Sequence, residues 1–143
     1  MAAQMTIAEL DVFLRVEFPQ MFQGTAFVIE AADGRACRVR QAFHERMLRP
    51  GGTISGPTLM ALADVAMYVV LLSAIGPVGL AVTTSLNINF LSKPPAGCDL
   101  VADARLLKLG KRLAVGEVLL SSDGGSELVA HVTSTYSIPP SSQ

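Results

Sequence analysis

The sequence is poor in charged and aromatic residues. Charged residues make up 16% of the 143 residues and aromatic residues 6%, and tryptophan is absent. The 11 basic and 12 acidic side chains nearly cancel and lie in both halves of the chain, so no basic face indicates nucleic-acid binding. Half of the residues are hydrophobic and the mean hydropathy is +0.45, which predicts that subunit contacts hide part of the apolar surface.

The signals of a disulfide-rich, metal-binding or secreted protein are also missing. Cys37 and Cys98 lie far apart, form no CxxC motif and have no histidine cluster nearby. We predict no metal site. The first residues, MAAQMTIAEL, lack the basic and apolar regions of a signal peptide. We therefore expect a cytoplasmic protein with both thiols reduced.

The longest apolar segment contains a single charge. Between Arg49 and Lys93 the only charged residue is Asp64, in the middle of GPTLMALADVAMYVVLLSAIG, residues 56–76. This segment predicts one long helix with Ser55 as its N-cap. Its length would suffice for a membrane span, but Asp64 and the lack of flanking basic clusters favour a buried helix. A buried carboxylate loses hydration, so it needs donors or a positive charge to stay ionised.

The remaining pattern predicts an α+β domain. We predict an amphipathic helix from Thr6 to Glu17 and a hairpin that turns at Asp33-Gly34. Four further strands, interpreted as an antiparallel meander, follow the long helix. We expect the sheet to wrap around that helix in one domain, residues 1–138, followed by a disordered tail, 139–143. The predicted strands are Thr25–Ala32, Arg35–Phe43, Leu80–Leu91, Asp99–Leu109, Leu113–Ser121 and Glu127–Ile138.

This order of elements and two motifs, GGTISGPTLMALADVAMY and TTSLNINFLSKPPAG, resemble the hotdog-fold acyl-CoA thioesterases of the phenylacetate-degradation (PaaI-like) family. The resemblance covers residues 49–136. It implies a hotdog fold, a homodimer that pairs into a homotetramer, and hydrolysis of an acyl-CoA thioester at the dimer interface. It also implies that no metal or separate cofactor is used, because coenzyme A is part of the substrate.

The family motif maps onto this chain with some substitutions. In the family, a His-Gly-Gly motif starts the helix and an acid follows eight residues after the first glycine; Gly56 and Asp64 match these two positions. Thr83 best matches a strand serine or threonine that orients the nucleophilic water. Ser55 stands at the histidine position and a proline at the second glycine, while Arg49 falls near an asparagine of some members.

The spacing of Gly56 and Asp64 predicts a site shared between two subunits. Eight helical residues separate them by about 12 Å along the axis, so one helix cannot bring both to one carbonyl. Across a two-fold axis, the Gly56 amide at a helix N-terminus can stabilise an oxyanion while Asp64 acts as a general base or as a nucleophile. A structural Asp64 bonded to the backbone or to Arg49 is the alternative.

Substrate contacts are predicted at both ends of the ligand. Met60, Met67 and Tyr68 share the helical face of Asp64 and are candidates for an acyl pocket, with core packing as the alternative. A predicted turn carries three cations that are candidates for binding the phosphates of coenzyme A, with a solvated turn as the alternative. These cations are Lys108, Lys111 and Arg112; Arg49 and Ser55 complete the predicted substrate-binding set.

The leading hypothesis from the sequence is a thioesterase that acts on a small or medium acyl-CoA, aromatic acyl groups included. The alternative is a hotdog protein that binds acyl thioesters without turnover, because Ser55 and Arg49 replace residues of the family. A hydratase on the same fold is a third possibility. Such enzymes carry an Asp and a His near the helix start, and Ser55 argues against this possibility.

Overall fold

The computed structural model describes residues 3–140. In this range an N-terminal helix, α1, is followed by a hairpin, a short two-stranded ribbon, a long helix, α2, and four strands. The bounds are α1 Ile7–Glu17, β1 Phe27–Ala32, β2 Ala36–Gln41, β3 Leu48–Arg49, β4 Thr53–Ile54, α2 Gly56–Ile75, β5 Val82–Phe90, β6 Leu100–Leu109, β7 Leu113–Ser122 and β8 Leu128–Ser137.

Six of the strands form one antiparallel sheet in the order β1-β2-β6-β7-β8-β5, and β3 pairs with β4. The inner face of this sheet packs around α2, which contacts β6, β7, β2, β5, β8 and β1. Each element thereby buries an apolar face against the other. The predicted α+β architecture, an antiparallel sheet wrapped around a long helix, is confirmed.

The prediction of a four-strand meander is wrong for β5. Strands β6, β7 and β8 follow one another as a meander, but β5 pairs with β8 at the far edge of the sheet rather than with β6. The connection from β5 to β6 contains Pro94 and Pro95, which cannot donate the backbone hydrogen bonds of a tight hairpin. This connection therefore spans the sheet instead of joining neighbours.

Helix α2 has two different halves. Its second half is enclosed by the sheet, and Val69, Val70, Leu71 and Leu72 have no exposed surface. In the first half, Met60 is 41% exposed, and Ala61, Asp64 and Val65 are also open to solvent to different degrees. The helix is long and apolar enough to cross a membrane, but 72% of its most apolar window is buried. It is the core helix of the sheet.

Capping residues at the two ends of α2 determine where the helix begins and ends. Ser55 caps the N-terminus: its hydroxyl accepts from the amide of Thr58 at 3.4 Å, and its own amide donates to the carbonyl of Met47 at 2.7 Å. Gly76 ends the helix with a φ of +95°, which suits glycine. The predicted N-cap is confirmed. Residues 141–143 of the predicted tail lie outside the described residues.

Candidate functional site

The carboxylate of Asp64 lies half-buried on α2 and accepts two hydrogen bonds on one oxygen. Thr83 donates from Oγ1 to Asp64 Oδ1 over 2.5 Å, and the Tyr136 hydroxyl donates to the same atom over 3.1 Å. These donors offset part of the hydration that the carboxylate loses on burial. Within residues 3–140 no hydrogen-bond partner is found for Oδ2, so this oxygen is available to a water or a substrate.

The register of the sheet brings the two donors to the same carboxylate. Thr83 on β5 and Tyr136 on β8 are paired directly across the ladder. Along β8 every second side chain is buried, and Tyr136, 3% exposed, is the last of this buried row on the strand. Two neighbouring strands therefore place one hydroxyl each against the middle of α2.

A second tyrosine supports the first. The rings of Tyr68 and Tyr136 are stacked with centroids 6.1 Å apart, and the Tyr68 hydroxyl donates to the carbonyl of Gly79 at 3.0 Å. Burial raises the pKa of Tyr68 and that of Tyr136. Both phenols therefore stay protonated at neutral pH and act as hydrogen-bond donors. Only Tyr136 reaches Asp64.

A cleft of about 720 Å³ opens in front of Asp64 and has the size of a small-molecule site. Asp64, Thr83 and Tyr136 lie at one wall. The rest of the lining comes from α2, from the end of α1 and the segment after it, from the hairpin, from the loop before β3 and from the segment that leads into β5. The apolar part of that lining includes Phe18, Met21, Phe27 and Met47, so the arrangement suits an apolar group attached to a polar reacting centre.

One polar side chain in this cleft lacks a full set of partners. Gln41 is 6% exposed, and its Nε2 donates to the Thr25 hydroxyl at 2.9 Å. Its Oε1 is buried and has no partner among the described residues. A buried amide oxygen without a donor costs free energy, so a water or a polar substituent of a ligand would be stabilised at this position.

The structure brings three of the predicted site residues, Asp64, Tyr68 and Thr83, into this cleft. Thr83 donates a hydrogen bond to Asp64. The resemblance did not predict this contact. Gly56 lies elsewhere in the same chain: a Cβ added there would meet the ring of Phe90 at 3.2 Å. The amide of Gly56 has no partner within residues 3–140, as expected for the first residue of a helix.

Ser55 and Arg49 stay at the helix start, away from Asp64 in the same chain. Ser55 bonds to Thr58, with 2.9 Å between the two hydroxyls. Arg49 is exposed on β3 and forms no ion pair in the described part of the chain. The alternative in which Arg49 pairs with Asp64 is therefore not what the structure contains. The role of Arg49 in substrate binding stays a prediction.

Two of the three candidates for the acyl pocket face elsewhere. Met67 has no exposed surface and packs against Gly116 of β7, so the alternative of core packing applies to it. Met60 is 41% exposed on the open face of α2 and does not line the cleft. Of these three residues, Tyr68 alone contributes to the cleft.

Two of the predicted phosphate-binding cations lie on the exposed turn between β6 and β7, and Lys108 lies just before it, near the end of β6. The turn is closed by a bond from the Gly110 amide to the Leu113 carbonyl at 2.8 Å, and Arg112 accepts from the Ile138 amide at 2.8 Å. It lies at the end of the sheet where β5 begins, because Leu113 and Val82 both pair with Ser137. Lys108, Lys111 and Arg112 do not line the cleft of the single chain, and their role stays a prediction.

The two cysteines and His131 do not line the cleft. Burial raises the pKa of the Cys37 thiol to about 12, so it is not a thiolate at neutral pH. Cys37 and Cys98 are both free. His131 is on the outer face of the sheet, where its Nε2 lies 2.9 Å from Glu117. No group of three or more His, Cys, Asp or Glu side chains that could hold a metal ion occurs between residues 3 and 140.

Sequence reasoning missed Tyr136. The signal was present in the alternation of β8, where Ala130, Val132, Ser134 and Tyr136 form the buried row. A tyrosine at the end of such a row has a buried ring and a hydroxyl that needs a partner. A buried acid on the helix beneath the sheet is a natural acceptor, but only the strand order identifies β8 as the neighbour of Thr83.

The chain is similar in sequence and in fold to known proteins. A family model described as the thioesterase superfamily matches residues 51–129, the segment that contains Gly56, Asp64 and Thr83. A crystal structure of a "putative thioesterase" from Silicibacter sp. is 47% identical to this chain, with a TM-score of 0.89. The match covers 98% of this chain and 96% of that chain.

Two more distant structures extend the comparison. The phenylacetic acid degradation protein PaaI from Thermus thermophilus is 27% identical, covers 85% of this chain and 99% of its own, and has a TM-score of 0.72. A hypothetical thioesterase protein from Streptococcus pneumoniae, solved with coenzyme A, is 19% identical with a TM-score of 0.77, covering 94% and 99%. The latter shares the fold.

Proposed function

Because the chain belongs to the thioesterase superfamily, we propose that it hydrolyses the thioester of a small or medium acyl-CoA, aromatic acyl groups included. The observation that carries this proposal is the carboxylate of Asp64, which is held by Thr83 and Tyr136 and has one free oxygen beside an apolar cleft. The hotdog fold and thioester hydrolysis in general follow from the family.

In the proposed reaction, Asp64 Oδ2 removes a proton from a water molecule whose oxygen attacks the thioester carbon. The carbon–sulfur bond then breaks to give the carboxylic acid, and the leaving thiolate of coenzyme A takes the proton held by Asp64, which restores the carboxylate. Direct attack by Oδ2, followed by hydrolysis of the anhydride, is the alternative route. In both routes negative charge develops on the carbonyl oxygen, where the unpaired amide of Gly56 would stabilise it. Neither route uses a separate cofactor.

The site needs Gly56 from a second copy, because Gly56 and Asp64 of one helix lie about 12 Å apart. The structure supports one way of supplying it. Asp64 is bonded to Thr83 near the start of β5, whereas Gly56 lies on Phe90 at its end. Antiparallel pairing of two β5 strands centred on Leu86 would place Val82 of one copy opposite Phe90 of the other. Gly56 of the second copy then approaches Asp64 of the first.

The exposed apolar surface supports this pairing. Val82 and Phe90 on β5 are 56% and 53% exposed, and Met60 on the neighbouring face of α2 is 41% exposed. Burying these side chains would supply a hydrophobic driving force for association. We propose a cytoplasmic homodimer that pairs further into a homotetramer. Its β6–β7 turns, each with Lys108, Lys111 and Arg112, would bind the phosphates of coenzyme A.

A second candidate function is binding of acyl thioesters without turnover. It is favoured by Ser55, which stands at the histidine position of the family, and by Arg49, which falls near an asparagine of some members. In this case the cleft would retain its ligand, and Asp64 would serve to fix α2 to β5. Tight binding of an acyl-CoA with no release of free thiol from any substrate would support it.

Hydrolysis of a panel of acyl-CoA substrates by the wild type and by Asp64→Ala tests the proposal. Loss of the base is expected to lower kcat/KM by about 10²- to 10⁴-fold. Asp103→Ala is the matched control, because Asp103 is a half-exposed aspartate that pairs with Arg38 on the outer face of the sheet. Equal rates for Asp64→Ala and the wild type would remove Asp64 from the mechanism.

A further inference from the structure

The two side-chain hydrogen bonds to Asp64 both end on the same oxygen of its carboxylate. Thr83 and Tyr136 both donate to Oδ1, and the Tyr136 hydroxyl also lies 3.3 Å from the backbone carbonyl of Asp64. Exchange of the two carboxylate oxygens by rotation would break both side-chain bonds at once. The carboxylate plane is thereby fixed, and Oδ2 is the oxygen left for chemistry.

From this asymmetry we propose that Tyr136 is a positioning residue, which holds Asp64 so that Oδ2 faces the cleft in the ionised form. The inference rests on the proposed function, in which Asp64 is the base or the nucleophile. Tyr136 acts through Asp64 and is given no role of its own on the substrate. It adds to the thioesterase motif a residue 72 positions further along the chain than Asp64.

The surroundings of Tyr136 suit this role. Its ring is 3% exposed and stacked on Tyr68, and its strand is paired on both sides, with β5 and with β7. The hydroxyl therefore has little freedom to leave Asp64. Burial and the nearby charge of Asp64 raise the pKa of Tyr136, so the phenol does not lose its proton to the base that it supports.

The titratable groups around the cleft are few. Tyr68 on α2 stacks on Tyr136, and the rest of the lining adds Glu17 of α1 and, from the loop before β3, His44 and Arg46. His44 accepts from the Arg46 amide at 3.0 Å. Within the described residues, none of these four side chains bonds to the carboxylate of Asp64, so Thr83 and Tyr136 are its direct partners.

The test is the pH dependence of hydrolysis by Tyr136→Phe, which removes the hydroxyl and keeps the ring. We expect kcat to fall by about 10- to 100-fold with KM within about two-fold, the pattern of a lost interaction with the base rather than with bound substrate. A hydrogen bond to the charged form favours that form, so the acid limb of the kcat/KM profile should move to higher pH.

Ser134→Ala is the matched control. It removes a buried hydroxyl two residues earlier in the same buried row of β8, which does not line the cleft and has no partner among the described residues. We expect kcat and the acid limb to stay at wild-type values. If Tyr136→Phe and Ser134→Ala change kcat equally and neither moves the acid limb, Tyr136 supports the fold and not the base, and the inference is overturned.

Two further measurements keep the inference separable from the proposed function. In an Asp64→Asn background, Tyr136→Phe should cause no additional loss, because its effect passes through the carboxylate; an additional loss would contradict the inference. Activity retained by Asp64→Asn would instead contradict the proposed function. Replacement of Tyr136 by 3-fluorotyrosine keeps the ring and strengthens the donor, so the acid limb should move to lower pH, and an unmoved limb would also overturn the inference.

Discussion

The two edges of the sheet differ in length, charge and exposure. Both edge strands contain one bulge, so the difference in protection lies in length and charge. The β1 edge has six residues and includes Glu30, which is ion-paired with Arg38 and Arg40 on β2. The β5 edge has nine residues and no charged side chain. Short strands and charges protect an edge from pairing with another chain. The β1 strand is therefore a closed edge, protected against pairing, whereas β5 is suited to pairing.

The β5 edge is also the edge that lies next to the candidate site. Thr83, which bonds to Asp64, belongs to β5, and Phe90 at the other end of β5 lies against Gly56. Pairing of β5 with a second copy would therefore cover the apolar edge and complete the site in one step. The β1 edge has no such connection to Asp64.

The largest effect on the oligomeric state is expected when a charge is placed on the β5 edge, with a charge on the β1 edge as the control. Val82→Glu on β5 and Val28→Glu on β1 replace the same residue type at nearly equal exposure, 56% and 54%. In the proposed dimer, Val82→Glu buries an unpaired carboxylate once in each copy, which is strongly destabilising. We expect a monomer without hydrolytic activity, measured by sedimentation velocity and by thiol release.

Val28→Glu should keep the size and the activity of the wild type, because the β1 edge is not expected to be covered. A dimer of normal affinity in Val82→Glu would contradict pairing through β5. Dissociation caused by Val28→Glu would contradict the assignment of β1 as the closed edge.

A moderate effect is expected from Phe90→Ala. The ring is 53% exposed in the single chain, so its removal should change the thermal stability of the protomer little. Burial of the exposed part in the dimer would be worth about 1 to 2 kcal/mol in each copy. The two copies together predict a dissociation constant raised by about 30- to 900-fold. A dilution series followed by mass photometry measures it, and an unchanged constant would place Phe90 outside the interface.

The smallest effect, a change in thermal stability, is expected from a substitution of Glu30 at the β1 edge. Arg40 and Arg38 lower the pKa of Glu30 by hydrogen bonding and by charge. A pKa that is lower in the folded state contributes stability above the unfolded pKa of about 4.3, and this stability is lost as pH falls through the folded pKa. Glu30→Gln should therefore lower Tm slightly at pH 7 and low salt.

The difference in Tm between Glu30→Gln and the wild type should shrink at pH 3 and in 1 M salt, since exposed ion pairs are screened. Thermal melts at the two pH values check this. A difference that grows on acidification would mean that the ion pairs of Glu30 do not stabilise this edge.

Much of the fold followed from local sequence patterns. The turn at Asp33-Gly34, the cap at Ser55 and the long apolar run each depend on neighbouring residues, and each element was found at its predicted position within a few residues. The order of the strands was not predictable in this way. The pairing of β5 with β8 joins residues far apart in sequence, such as Asn87 and Thr133, and no local signal encodes that choice.

The residues of the candidate site were also predicted only in part. Asp64 stands out because it is the one charge in an apolar run, and Thr83 follows from the spacing of the family motif. Tyr136 was missed because its partner is determined by the strand order. Met67 was assigned to two alternatives because helical periodicity shows only that it shares a face with Asp64. It does not show that Gly116 of β7 leaves room for the Met67 side chain in the core.

Mixing two inactive variants tests most directly whether Asp64 and Gly56 act from different copies. Asp64→Asn removes the proposed base, and Gly56→Leu blocks the helix start, where even a Cβ would meet Phe90 at 3.2 Å. Co-expressed, the two chains form mixed dimers in which one of the two sites has both wild-type residues. Random pairing then predicts recovery of about a quarter of the wild-type activity. Activity no higher than that of the separate variants would contradict a shared site.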